Sequence, residues 1–201
     1  MQKKKSEVSF VKGAAILAFA AFLTKVIGLI YRLPLTRVLG DEGNGLYADA
    51  FQVYTVLITL CAFGLPTAIS KLVAERAAKG AYKDAHRVFK ISIIYSVVVG
   101  SILALIMWVF AGSIANMMGS PRTIYAMRSL APTVLIVVLM SSFRGYFQGL
   151  NSMAPTAISQ IIEQLFNAIF SVVLAYAFLP KGLENAVVGS TMGTGIGALT
   201  G

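Results

Sequence analysis

An all-α bundle of membrane-spanning helices is the fold class this sequence predicts, and three features predict it. Charged residues make up 12% of the 201 residues, where a soluble domain carries about 25%. Hydrophobic residues make up 57%, and the mean hydropathy is +0.79. The third feature is a set of long uncharged runs, of which "ISIIYSVVVGSILALIMWVFAG", Ile91 to Gly112, is the longest. As a helix that run is roughly 33 Å long, enough to cross a bilayer.

Six apolar segments follow in order: 9–38, 46–65, 91–112, 124–143, 154–179 and 183–201. The first opens on a basic "MQKKK", but its apolar part runs well past a signal peptide's core, so it reads as a retained span. Pro34 within it predicts a kink or break. "LGDEGNG", Leu39–Gly45, is a turn by composition and leads to the second span. Residues 66–90, "PTAISKLVAERAAKGAYKDAHRVFK", form a linker in which Pro66 suits a first helical turn and Glu75 and Lys79 stand at i,i+4. Two readings fit it: an amphipathic helix on the cytoplasmic face, its lysines meeting anionic headgroups, or a solvated linker whose charges only orient the protein.

The later spans are joined by the short connections "GSPRT" and "LPKGLEN". The fifth begins on "PTAIS" at Pro155, the string that also begins the linker at Pro66, by internal repetition or by chance. In the sixth, Gly189, Gly193, Gly197 and Gly201 recur every four residues. They line one helix face without side chains, for close packing against another helix or as a thin wall beside a cavity. The helical pattern runs to residue 201 with no polar tail, which predicts that the chain is part of a longer protein.

The net charge of +9 raises the question of nucleic acid. Its placement answers against it, because the cations sit between the spans. Ten lie on the side of the amino terminus, including Lys3, Lys12, Lys71, Arg76 and Lys90, against Arg37, Arg122 and Lys181 on the other. That asymmetry predicts a cytoplasmic amino terminus.

Catalytic chemistry has little to rest on. Cys61 and His86 are the only residues of their kinds, which excludes an intrachain disulfide and leaves no Cys/His metal site. No Walker sequence, HExxH or GxSxG is present, and the glycine-rich carboxyl-terminal run lacks the preceding strand of a dinucleotide loop. No enzyme activity and no cofactor are expected.

Lys25, Arg32, Asp49, Arg128, Arg144 and Glu163 fall within or at the edge of spans. Each costs about 2.5–3.5 kcal/mol at a helix centre, so such groups normally face a bundle interior or water. Helical spacing groups them with other polar residues. Gln160, Glu163, Gln164, Asn167 and Ser171 share one stripe; Thr24, Gly28, Tyr31 and Arg32 share another, with Lys25 beside it; Asp49, Gln52 and Thr59 supply a third. Three polar stripes predict a shared polar interior. Arg144 and Glu163 flank one short turn, at a spacing that allows an ion pair between antiparallel helices, either pinning them or meeting a substrate. Arg32 is the better substrate candidate, its guanidinium suited to phosphate oxygens, with snorkelling toward the outer headgroups as the alternative; Lys25, nearer mid-span, snorkels less readily and suits a cavity role.

Four segments carry a family resemblance: "KVIGLIYRLPLTRVLGDEGNGLYADAFQVY", "GLPTAISKLVAE", "FRGYFQG" and "MAPTAISQIIEQ". They resemble the polysaccharide-biosynthesis and stage V sporulation protein B branch of the multidrug/oligosaccharidyl-lipid/polysaccharide (MOP) exporters, close to lipid II flippases, over essentially the whole chain. The resemblance implies the amino-terminal lobe of a two-lobed, alternating-access transporter in the bacterial cytoplasmic membrane. Its cargo would be a polyprenyl-diphosphate-linked saccharide, with membrane lipids around it and a coupling cation or proton. Lys25, Arg32 and Arg144 are then the candidate substrate cations, and Asp49, Gln160, Glu163 and Asn167 the candidate coupling or gating residues. One departure stands out: lipid II flippases carry an arginine three residues after the first-span glycine, whereas here Arg32 follows Gly28 by four. The competing expectations are a cation-coupled drug exporter, which would need an acid-rich cavity, and a non-transporting scaffold for wall or spore assembly.

Overall fold

The computed structural model describes the backbone of residues 2–62 and 64–201 and the side chains of residues 13–59 and 64–201. The amino-terminal lysines and Cys61 therefore lie outside the described side chains. Six helices account for nearly all of it: α1 (Gln2–Ala62), α2 (Gly64–Ala78), α3 (Tyr82–Met117), α4 (Ile124–Gly149), α5 (Ala154–Phe178) and α6 (Leu183–Thr200).

Helix α1 folds in two at Gly40, whose φ of 63° and ψ of −175° belong to the left-handed half of backbone space that glycine enters freely. The break expected at Pro34 is not there; Pro34 stays within helical backbone, and the chain turns six residues later. The turn is also tighter than the Leu39–Gly45 loop read from composition, because residues 41–45 already belong to the second arm. Ending a helix leaves carbonyls without partners. The Asn44 amide meets two of them, donating to the Gly40 carbonyl at 2.7 Å and the Thr36 carbonyl at 3.2 Å. That the arms double back is clear from a cavity lined by both Thr24 and Val56. In a straight helix those residues would stand roughly 48 Å apart.

The predicted linker, residues 66–90, is not one continuous helix. Residues 64–78 form α2, whose Ile69 and Val73 are buried against α4. Gly145 and Gly149 admit it: a Cβ on Gly145 would stand 2.8 Å from the Pro66 carbonyl oxygen, and one on Gly149 2.6 Å from the Val73 Cβ. The chain turns at Gly80 (φ 70°), and α3 begins at Tyr82, nine residues ahead of the predicted span.

Polar side chains stitch the helices together where the cores are thin. Ser96 and Ser142 share a hydrogen bond of 2.6 Å between α3 and α4, and Ser129 and Thr191 one of 2.5 Å between α4 and α6. Between them, Met107, Met127, Leu130, Val134 and Val138 are fully buried. The outer surface is apolar instead: Phe19, Phe22, Ile30, Leu33, Ile94, Leu105 and Trp108 are exposed. An apolar patch of that extent suits lipid. Among the described residues, four helical stretches are long and apolar enough to cross a membrane, 13–78, 82–117, 121–149 and 154–181, the first being the one folded at Gly40. The protein is an all-α membrane helix bundle.

At one end of the bundle, three turns are tied by a single guanidinium. Arg122, between α3 and α4, pairs with Glu184 at the start of α6 at 2.6 Å, and with Glu42 just past the Gly40 fold. The hydrogen bonds to Glu184 and then Glu42 hold its pKa above the ordinary arginine value. All three side chains are open to solvent, and exposed pairs contribute little and are screened by salt. Arg122→Ala is accordingly expected to lower the melting temperature only slightly at low ionic strength. At 1 M salt the difference should vanish; a large, salt-independent loss would give Arg122 a packing role instead.

Candidate functional site

Between the two arms of α1 and the middle of α5 lies a cavity of about 740 Å³. The first arm contributes Thr24, Gly28, Tyr31 and Arg32, the stripe that helical spacing predicts, and Lys25 beside it. The second contributes Tyr47, Phe51, Gln52 and Thr55, and α5 contributes Gln164. Among the described residues, Lys25 and Arg32 are the only charged ones that line the cavity, and no carboxylate does. Lys25, Arg32 and Gln52 are exposed within it. Gly28 keeps the wall open: a Cβ there would already touch the Gln164 amide nitrogen at 3.4 Å.

Asp49 is not brought into this cavity. It lies half-buried beside the lining residue Ala48 and forms no ion pair with a described residue. Asn167 is placed elsewhere too. Nearly buried, its Oδ1 accepts from Ser171 Oγ at 2.8 Å and from Thr194 Oγ1 at 3.1 Å, joining α5 to α6.

Arg144 and Glu163 do meet. Arg144 Nη2 donates to Glu163 Oε2 at 2.5 Å, and Nε and Nη2 donate to Ser159 Oγ at 3.1 and 2.8 Å. The side chains are 18% and 27% exposed, so the pair is largely shielded from water. Arg144 faces a second, mostly apolar cavity of about 380 Å³ between α4, α5 and the end of α6. On its other side, Glu163 joins Gln160, Gln164, Thr24 and Ala21 around a small cavity of about 180 Å³. Thr24 and Gln164 line both this and the main cavity, so Glu163 stands one side chain away from the cations without joining them. Arg128, the remaining intramembrane cation, lies with its guanidinium carbon 5.9 Å from the Trp108 ring, a cation–π contact outside the site.

Charges and amides alone do not point to the aromatic wall of the cavity, Tyr47 and Phe51. With Tyr54 behind them they follow one another at i, i+4 and i+7, a legible helical stripe that looks like ordinary core in a chain so rich in apolar residues.

The family described as polysaccharide biosynthesis protein matches residues 10–201. The chain belongs to that family. It is 36% identical to stage V sporulation protein B of Bacillus subtilis (strain 168), over 95% of this chain and 37% of that protein. It is 29% identical to the lipid II flippase MurJ of the same organism, over 94% of this chain and 37% of that one. The chain thus spans a little over a third of the length of these curated relatives. Among solved structures, a MATE protein in complex with MaD3S superposes with a TM-score of 0.78 at 21% identity, over 94% of this chain and 43% of that one. A MOP superfamily transporter from Pyrococcus furiosus Vc1 (DSM3638) gives 0.73 at 20% identity, with the same coverage. This polysaccharide biosynthesis family member therefore shares the helix-bundle fold of MOP transporters.

Proposed function

We propose that this bundle is the amino-terminal lobe of a flippase for polyprenyl-diphosphate-linked saccharides, working by alternating access with a second lobe. In this reading the chain crosses the membrane six times, with its amino terminus in the cytoplasm of a bacterium, and does no covalent chemistry. The observation that carries the proposal is the charge of the main cavity, two cations and no acid among the described residues that line it. A diphosphate needs cations in a site of low dielectric, and a cationic drug would need the reverse. The polar stripes also argue against a pure scaffold, because unpartnered amides within a membrane bundle have no packing purpose.

In this mechanism Lys25 and Arg32 neutralise the diphosphate while the polyprenyl tail stays in lipid. Rocking of the lobes then carries the headgroup across. Arg144 and Glu163 hold or gate the entrance at the end where α4 meets α5. Glu163, with Gln160, offers the oxygen ligands for a coupling proton or cation; Asp49 is a second acid available to that role.

The test is complementation with the full gene product that carries this sequence, in bacteria depleted of their own lipid II flippase. Growth and outer-leaflet lipid II should both be rescued. Arg32→Gln should reach the membrane at normal levels and rescue neither, a drop in transport of at least about a hundredfold if the lost charge-assisted contacts are worth near 3 kcal/mol. Wild-type transport by Arg32→Gln would remove it from the mechanism. No rescue by the unaltered protein, despite confirmed expression, would favour another lipid-linked sugar or a scaffold.

A further inference from the structure

We infer that the main cavity is divided between two parts of one ligand, with the first arm of α1 holding the diphosphate and the second arm, with Gln164, holding the sugar. This rests on the flippase reading and says which residues would read the saccharide. The decisive residue is Phe51.

The fold at Gly40 sets the heights. Lys25 and Arg32 lie fifteen and eight residues from Gly40 on the first arm, and so about 10 Å apart along the helix axis. Phe51 and Gly28 lie eleven and twelve residues from the same point on opposite arms, and both line the cavity. At the level between the two cations, then, an aromatic ring on one arm and a residue with no side chain on the other line the same cavity.

Phe51 is also held in place. Its ring centroid lies 4.4 Å from that of Tyr47 at an interplanar angle of 31°, and 5.5 Å from that of Tyr54 at 69°. Tyr47 and Tyr54 are buried, while Phe51 is only half-buried. Two rings thus fix the third, and its free surface is left to the cavity. A fixed aromatic face is what the C–H face of a pyranose packs against, at little entropic cost.

The amides say what kind of group comes to that face. Gln52 and Gln164 line the cavity and make no side-chain hydrogen bond with a described residue. Each offers two donors and an acceptor. An apolar ligand would strip their water and leave them unpaired, at a cost, whereas hydroxyl or acetamido groups would pair with them. A stacking face flanked by unspent amides therefore selects a saccharide, and the cations across the gap select its phosphates.

The test uses the full-length protein in lipid nanodiscs and two probes: lipid II, and polyprenyl diphosphate without sugar. Phe51→Ala and Gln52→Ala should each weaken lipid II binding by about tenfold and leave polyprenyl diphosphate within about twofold. Phe51→Trp should keep lipid II binding, since it restores the ring. Arg32→Gln should weaken both probes. Should Phe51→Ala and Gln52→Ala affect both probes equally, or neither, the division of the cavity is wrong. Gln52 is solvent-exposed, so its variant remains informative even if Phe51→Ala does not fold. A wild-type protein that binds both probes with equal affinity would overturn this inference alone, and one that binds neither would overturn the flippase reading with it.

Discussion

Gly193→Leu is expected to abolish the folded bundle. A Cβ on Gly193 would stand 2.2 Å from the Ser171 backbone nitrogen, 2.5 Å from its Cα and 2.6 Å from its Oγ. Two of those three atoms are backbone, so no rotamer change relieves the contact. The neighbours on the stripe are as close: Gly189 against the Leu174 carbonyl oxygen at 2.5 Å and Gly197 against the Glu163 carbonyl oxygen at 2.7 Å. The small face thus serves helix-to-helix contact between α5 and α6. Forcing the helices apart would also break the Ser171 hydrogen bond to the Ser190 carbonyl and the Thr194 contact to Asn167. Overpacking costs about 1–3 kcal/mol for small increments, so even Gly193→Ala should be clearly destabilised. Gly112→Ala is the matching control. Its new Cβ would meet only Ile124 Cδ1, at 4.0 Å, and alanine is the better helix former by about 1 kcal/mol. Thermal melts of the detergent-solubilised full-length protein should show loss for Gly193 variants and none for Gly112→Ala. Equal tolerance of both would mean that α5 and α6 are not packed as described.

The second large effect concerns Arg144 and Glu163. Removing one partner of a shielded ion pair leaves an uncompensated charge, which costs about 3–5 kcal/mol. Arg144→Leu should pay this penalty, and Glu163→Leu likewise, whereas the double replacement should recover a good part of it, because two apolar side chains need no partner. A coupling energy of about 1–3 kcal/mol from the four proteins would measure the pair. Transport assays then separate its two possible meanings. If the double variant is as stable as the original and still transports, the pair only pins α4 to α5. Should it be stable but inert, the charges act on the cargo or the gate. Additive single effects would mean that the 2.5 Å contact carries no energy of its own.

How much of this was legible beforehand follows from which forces act locally. The order of the long apolar helices and the first-span polar stripe were, because apolar run length and a 3.6-residue period are written in consecutive residues. Counting puts Thr24, Gly28, Tyr31 and Arg32 on one face with Lys25 beside it, and all five line one cavity. The Arg144–Glu163 pair was legible for the same reason: a four-residue turn, Leu150–Met153, joins the two helices, and the two residues flank it within reach of a long arginine side chain. The reach of α2 was not, because residues 64–78 carry enough charge to pass for a surface segment. Only the facing glycines Gly145 and Gly149 on α4 make room to bury Ile69 and Val73.

Gly40 and Asn167 show where counting stops. Proline is the stronger breaker by rule, yet Pro34 remains helical. The chain reverses at Gly40, where a positive φ is available and Asn44 can take the freed carbonyls. Asn167 shares a stripe with Glu163, but a stripe on a helix is wide, and its far edge faces α6 rather than the cavity. Membrane class, helix order and the list of polar candidates depend on composition and period along the chain, and they were read from it. Which cations share a cavity, which polar groups pair with one another, and that Phe51 lines the same cavity as Gly28 depend on how the helices turn about their axes when packed. Contacts between residues distant in the chain set those rotations, and only the tertiary structure holds them.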